Sequence, residues 1–179
     1  SLDLMGQTYF LLTPVKGLNL TANVGLMNDN TRYNSLTSQF GSASGTDGVA
    51  YVSHSRYFAV NTQYLAEYKT DFGGTKHNFD ILAGFEMYKL KTQSLSGQND
   101  HLFNPYIGEL NNADGTKGRR VNSSTGQYMT EGVLARAQYN YDEKYVVSGS
   151  FRRDASSRFY KDNRWGNFGS VGLAWLISK

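Results

Sequence analysis

The sequence predicts an all-β fold, an antiparallel up-and-down meander cut to the pattern of a large transmembrane β-barrel. Three observations carry this. Apolar residues recur with period two over several stretches, so a strand sorts them onto one face while a helix would scatter them. Short turns alternate with long polar connections, as in the wiring of barrels with short turns at one rim and long loops at the other. Composition is rich in Tyr (13), Phe (10) and Gly (19) and holds only 2 Pro, yet mean hydropathy is −0.51. Aromatic-rich, Pro-poor chains suit antiparallel sheets, and a soluble core of this length usually draws on more aliphatic side chains.

Gln7 to Thr13 is a short strand candidate, apolar on both faces, and Pro14 to Gly17 follows as a tight turn. Leu18, Leu20, Ala22, Val24 and Leu26 share one face of the next strand, with Asn19, Thr21, Asn23 and Gly25 opposite. From Met27 to about Ser55 the pattern dissolves into a long polar loop containing the run Gly41 to Gly45. Alternation returns from Arg56 to Lys69, where Phe58, Val60, Thr62, Tyr64, Ala66 and Tyr68 oppose Ala59, Asn61, Gln63, Leu65 and Glu67. A second short turn covers Asp71 to Thr75. The strand from His77 to Leu90 places Phe79, Ile81, Ala83, Phe85 and Met87 on one face, and Asn78, Asp80, Leu82, Gly84 and Glu86 on the other.

Lys91 to about Gly126 is a second long polar loop, with turn chemistry from Asn112 to Gly115. In the strand Gln127 to Tyr141, Val133, Ala135, Ala137, Tyr139 and Tyr141 oppose Leu134, Arg136, Gln138 and Asn140. Asp142, Glu143 and Lys144 form a third short turn. The last third, Tyr145 to Ser178, reads as two strands facing each other across a charged cap. Tyr145, Val147, Gly149 and Phe151 alternate with Val146, Ser148, Ser150 and Arg152; later Val171, Leu173, Trp175 and Ile177 alternate with Ser170, Gly172, Ala174 and Leu176. The total is about seven strands joined as a meander.

Charge follows the same division. Asp80, Glu86 and Arg136 lie opposite the apolar stripe, while Arg153 falls in the apolar register and is expected near the outer rim. Tyr64, Tyr68, Phe72, Tyr139, Tyr141, Tyr145 and Trp175 gather toward the short-turn ends. Tyr57, Tyr88, Tyr128, Phe159, Tyr160 and Trp165 lie toward the long-loop ends, so two interfacial belts are expected.

Several function classes find no support. The net charge of +3, from 18 basic and 15 acidic residues, is too small to argue for nucleic acid, and no basic run is interleaved with stacking aromatics. There are no cysteines, which excludes disulfide and thiol chemistry. His54, His77 and His101 are isolated, with no metal-ligand spacing. No nucleophile elbow, phosphate loop or dinucleotide fingerprint is present, so neither enzyme activity nor a cofactor is expected. No apolar run approaches the roughly 18 residues of a membrane helix, but a barrel strand needs only about 9–11 alternating residues.

The strongest charged feature is Arg152, Arg153, Asp154 and Arg158. It reads first as a structural turn network, in which arginine forks hold the carboxylate and loop carbonyls between two strands; the competing reading is a ligand site. In the long loops, Tyr33, Phe40, Tyr51, Phe103, Tyr106, Arg119 and Arg120 are the candidates for contact with a substrate or a partner.

The last third also carries a family likeness. Tyr145, then Arg152-Arg153-Asp154, Ser156-Ser157-Arg158-Phe159, Asn163-Arg164-Trp165-Gly166, Phe168, Ser170-Val171 and Trp175 resemble the barrel of SusC/RagA-type TonB-dependent outer-membrane transporters. Ala155 stands where that family usually has Gly, and Gly169 where it usually has Pro. Arg136, Tyr139, Tyr141, Lys144 and Tyr145 match a second run of the family, and the stretches Lys76 to Asn78 and Leu82 to Gly84 add to it. The resemblance implies an outer-membrane, multi-pass barrel of about 22 strands with a plugged lumen. It implies energy delivered by the TonB complex through a missing N-terminal part, and a SusD-like surface lipoprotein as cap. The implied cargo is oligosaccharide or peptide. On this reading residues 1–179 are a fragment of the barrel domain without the plug, bounded by outer-membrane lipid. A soluble β-sandwich carbohydrate-binding module is the alternative, and a small complete barrel or adhesin the third. The sandwich requires a second sheet or helices sealing Leu20, Val24, Ile81, Val133 and Leu173.

Overall fold

The structure, a computed structural model, describes residues 1–38, 40, 48–72, 76–116 and 118–177. The expected glycine–serine run Gly41 to Gly45 and the Gly73 to Thr75 part of the second turn lie outside the described residues.

Seven strands form one sheet in sequence order: β1 Leu2–Val15, β2 Leu18–Thr37, β3 Val49–Phe72, β4 His77–Asp100, β5 Arg120–Tyr141, β6 Tyr145–Ser156 and β7 Trp165–Trp175. A short 3-10 turn, Lys161–Asn163, lies between β6 and β7. The sheet is the antiparallel up-and-down meander that the alternation predicts. Its register fixes the faces at the C-terminal end. Tyr141 pairs Tyr145, Tyr139 pairs Val147, Ala137 pairs Gly149 and Val133 pairs Arg153. Across the next ladder Tyr145 pairs Trp175, Val147 pairs Leu173 and Gly149 pairs Val171. Every residue in these pairs sits on the stripe side, so neither of these two ladders is slipped by one residue.

Three expectations need correction. The long loops expected over Met27–Ser55 and Lys91–Gly126 are shorter than expected, since β2 runs on to Thr37, β3 begins at Val49, β4 runs on to Asp100 and β5 begins at Arg120. Strands of 20 to 24 residues far exceed the roughly 9–11 that cross a bilayer. Where both faces of a hairpin meet water, hydropathy stops alternating although the backbone ladder continues, so the pattern vanishes before the strand does. β1 likewise starts at Leu2, ahead of the expected Gln7. The expected outer belt also changes. Tyr88 shares the face of Glu86, two residues away, and Tyr128 that of Thr130, so both point to the polar side. Tyr57 opposes Phe58 for the same reason.

The chain falls into two compact units. One comprises Gly6–Leu26, Ala59–Lys89 and Tyr128–Lys179. Its apolar face is uncovered. Ile81 is 46 % exposed, Val133 45 %, Val171 81 % and Leu173 78 %, and no second sheet or α-helix occurs among the described residues. The sandwich requirement is therefore not met. Only Ala50, Ala59, Leu102 and Ala113 count as buried apolar residues among those described, which is no core for seven strands. Apolar surface left so open in a folded sheet is surface meant for an apolar surround.

At the short-turn ends of this unit the aromatics form a continuous band. Phe72 meets Phe79 edge-on at 6.1 Å, Phe79 meets Tyr139 at 4.7 Å, and His77 Nδ1 lies 2.7 Å from the Tyr139 hydroxyl. Beyond them Tyr141 stacks on Tyr145 at 6.5 Å and Tyr145 on Trp175 at 6.1 Å. Rings with an apolar body and a polar tip favour the headgroup level.

Main-chain hydrogen bonds stitch the short turns sideways. Lys69 N donates to Gly17 O (2.8 Å), Asp142 N to Lys76 O (2.7 Å) and Leu176 N to Lys144 O (2.8 Å). The β5–β6 turn closes with Lys144 N donating to Tyr141 O (2.9 Å). Asp142 and Glu143 both take positive φ there, the geometry that matches hairpin twist. Gly17 has φ +87°, and a Cβ on it would meet the carbonyl oxygen of Lys69. A Gly17→Ala substitution should therefore cost about 1–3 kcal/mol, read as a lower urea midpoint for the folded full-length protein.

The second unit comprises Ser1–Met5, Met27–Phe58 and Leu90–Gln127. Leu102 bridges to Ala113 within the β4–β5 connection. Ala50, Leu102 and Ala113 are buried together with Leu110 packed on them, a small core that roots this connection against β3.

Candidate functional site

The polar face of the first unit carries a row of hydrogen-bonded side chains crossing four strands. Asn23 Nδ2 on β2 donates to Gln63 Oε1 on β3 (2.8 Å). Gln63 Nε2 donates to Glu86 Oε1 on β4 (2.7 Å). Glu86 Oε2 accepts from Arg152 Nη2 on β6 (3.0 Å). Arg152 Nε lies between the two Asp154 oxygens, at 2.9 and 2.8 Å. Period two explains the last step, since residues 152 and 154 of one strand share a face.

The reach from β6 to β4 passes over β5, and Gly132 makes it possible. Gly132 pairs with Asp154, and a Cβ on it would stand 2.5 Å from Asp154 Oδ1 and 3.4 Å from Arg152 Nη2. A side chain at 132 would occupy the space the guanidinium crosses. A similar relief occurs lower on the same face, where a Cβ on Gly84 would meet Leu65 at 2.7 Å and Leu134 at 3.2 Å.

The row borders a hollow of ≈ 680 Å³ whose wall also includes Tyr88, Phe159 and Phe168. The two carboxylates and one guanidinium leave the row with one net negative charge. Arg152, Glu86 and Asp154 keep 48 %, 30 % and 36 % of their side-chain surface exposed, so each pair contributes within about 1 kcal/mol to folding. What the row supplies is orientation: donors and acceptors fixed on a wall and partly open to whatever fills the space in front of it.

Of the expected turn network, Arg152 and Asp154 pair directly, while Arg153 and Arg158 do not join them. Arg153 keeps the outward register opposite Val133 and Asn167 and places its guanidinium 4.8 Å from the Trp165 ring centroid. Arg158 lies 4.3 Å from that of Tyr128. The loop carbonyl of Phe159 accepts instead from Arg164 Nε (3.0 Å). Sequence reasoning left Asn23, Gln63 and Glu86 as residues of the polar face and gave Gly132 no role. Nothing in the sequence ties residues on strands that are not sequence neighbours.

The seven loop candidates all belong to the second unit. Tyr33 on β2 and Tyr51 on β3 come together, ring centroids 6.1 Å apart at 58°. Phe40 is exposed in the β2–β3 connection, and Phe103 and Tyr106 are exposed in the β4–β5 connection. Arg119 and Arg120 are exposed and border a small hollow of ≈ 100 Å³ with Asn99 and Leu110. Among the described residues no cluster of His, Cys, Asp or Glu could hold a metal ion.

Comparison with known proteins bears on this arrangement. No family model matches the chain. It is 30 % identical over 125 residues to TonB-dependent receptor P39 of Formosa agariphila, covering 67 % of this chain and 12 % of that protein. It is 24 % identical over 167 residues to TonB-dependent receptor P3 of the same organism, covering 92 % and 16 %. A 56-residue stretch is 41 % identical to TonB-dependent receptor SusC of Bacteroides thetaiotaomicron, covering 29 % of this chain and 6 % of that protein. Among solved structures, the RagAB peptide transporter superposes with a TM-score of 0.87 at 24 % identity, over 94 % of this chain and 19 % of that one. The RagAB peptide importer in its open-open state gives 0.86 over 96 % and 19 %. The chain thus spans less than a fifth of each of these relatives. With the meander, its uncovered apolar face and its polar wall, these likenesses identify the chain as a barrel segment of the TonB-dependent receptors of the SusC/RagA type.

Proposed function

We propose that residues 1–179 are one stretch of the wall of an outer-membrane importer for oligosaccharides or peptides. The plug and the TonB-contacting segment belong to other parts of the same protein, and a SusD-like surface lipoprotein caps the barrel. The single observation that carries this reading is the contrast between the two faces of one sheet. One face is apolar and uncovered; the other holds a fixed polar row beside a hollow of ≈ 680 Å³. That is the division between lipid and a wet lumen. Arg152, Glu86, Asp154 and Gln63 line the conduit. Tyr33, Phe40, Tyr51, Phe103, Tyr106, Arg119 and Arg120 meet cargo or cap at the long-connection rim. The likeness to named receptors and to the RagAB importer supports the assignment.

Deletion of the full-length gene tests it. The mutant should lose growth on one class of oligosaccharide or peptide as sole nutrient while keeping growth on its monomers. The protein should sediment with the outer membrane. Unchanged growth on every oligomer offered, or recovery of the protein in a soluble fraction, would overturn the reading.

A further inference from the structure

Asn99, near the end of β4, is only 5 % exposed. Its Nδ2 donates to Leu110 O (3.1 Å), which fixes the amide: turned over, the side chain would set its oxygen against that carbonyl. Asn99 Oδ1 then has no hydrogen-bond partner among the described residues. An acceptor taken out of water and held in this way is a fixed demand for a donor. Asn99 also borders the hollow of ≈ 100 Å³ that Arg119 and Arg120 border. Among the described residues neither arginine pairs with a carboxylate, and no acidic residue borders the hollow.

The residues around this hollow all lie between Gly97 and Val121, within the second unit. Leu110 packs close to β4, since a Cβ on Gly97 would stand 2.6 Å from Leu110 Cδ1. The β4–β5 connection that carries Leu110 is held from inside. Asn112 Nδ2 donates to Asn104 O (2.6 Å) and Ile107 O (2.8 Å), and Asn112 N donates to Glu109 O (2.9 Å). The acceptor and the hollow are thus set before a ligand arrives, and little ordering cost falls on the binding step.

We propose that this hollow takes the carboxyl end of a peptide, with Arg119 and Arg120 holding the terminal carboxylate and Asn99 Oδ1 accepting from the last peptide N–H. The inference rests on the function proposed above and chooses between its two classes of cargo. Guanidinium forks match carboxylate oxygens. Two cations without a carboxylate repel a metal ion or an ammonium group. A bare carboxylate would leave Oδ1 unmet, whereas a chain end carries an N–H beside its carboxylate. Volume decides against a sugar acid. At about 30 Å³ per water the hollow has room for about three, which admits a chain end but not a pyranose ring with its hydroxyls.

The test titrates full-length receptor in detergent, by calorimetry, with penta-alanine, with its carboxyl-amidated form and with a form methylated on the last peptide nitrogen. Each change should weaken binding to the unaltered receptor about 10-fold, the loss of one charged or one buried hydrogen-bonded contact. Arg119→Gln combined with Arg120→Gln should erase the difference between acid and amide and keep that between N–H and N-methyl. Asn99→Leu should do the converse. Both arginines are exposed, so their replacement leaves the fold intact and keeps the test decisive if Asn99→Leu loosens the connection. Equal affinity for acid and amide, or an acid preference that survives in the double variant, overturns the inference. So does a receptor that binds none of the three peptides while its gene still supports growth on an oligosaccharide, an outcome that leaves the proposed function standing. Failure of that function shows separately, as unchanged growth on every oligomer without the gene.

Discussion

An arginine in place of Val171 should cost about 2–4 kcal/mol of folding stability in a bilayer, the penalty of a cation on the lipid face at mid-depth. Val171 pairs with Gly149, which pairs with Ala137. This row stands between the Tyr145–Trp175 stack at one end and Arg153 over Trp165 at the other. One residue earlier, Ser170 occupies the opposite face with its hydroxyl 2.7 Å from that of Ser150. Ser170→Arg should cost little more than that one hydrogen bond, about 0.5–1.5 kcal/mol. Urea titration of the full-length protein folded into lipid vesicles measures both. Equal costs at the two positions would mean that the face assigned to lipid is not bathed by it.

Gly132→Val is expected to break the polar row. Its Cβ needs the space held by Asp154 Oδ1, so Asp154 must swing and Arg152 must lose either its carboxylate fork or its contact with Glu86. The displaced atoms are the far ends of two part-exposed side chains, so the cost stays at the low end of overpacking, about 1 kcal/mol. The exposed ion pairs themselves add little, which makes the route testable. In an Arg152→Met background the arginine is already gone from the row, and the cost of Gly132→Val should shrink by about 1 kcal/mol through coupling of touching groups. A double-mutant cycle on vesicle-folded protein reads this directly. Strict additivity would show that Gly132 matters for the strand and not for the crossing.

How much of this was legible beforehand differs along each strand. Between Leu18 and Leu26, or Val133 and Tyr141, one face meets lipid and the other a wet lumen, so every second residue reports its surroundings. Strand, face and register follow from that contrast. Beyond Met27 on β2 and Lys91 on β4 the contrast is gone while the ladder persists, so the residue pattern there is that of a loop. Tyr88 and Tyr128 misled for a related reason. Their place along the strand suits an interfacial belt, but parity with Glu86 and Thr130 turns them inward. The row from Asn23 to Asp154 was hidden because its members come from four strands. Its enabling residue is a glycine, whose contribution is the absence of a side chain. Family likeness pointed to Arg152 and Asp154 but not to Glu86, the second partner of Arg152, two strands away.

The sideways hydrogen bonds at Gly17, Lys76 and Lys144 have an evolutionary corollary. An insertion in any one of those connections would disturb the next hairpin as well, so change there is penalised collectively. The β4–β5 connection instead carries its own internal supports, with Asn112 Nδ2 donating to the carbonyls of Asn104 and Ile107, and can be remodelled by itself. Sequence change can therefore accumulate in that connection while the linked short turns stay fixed.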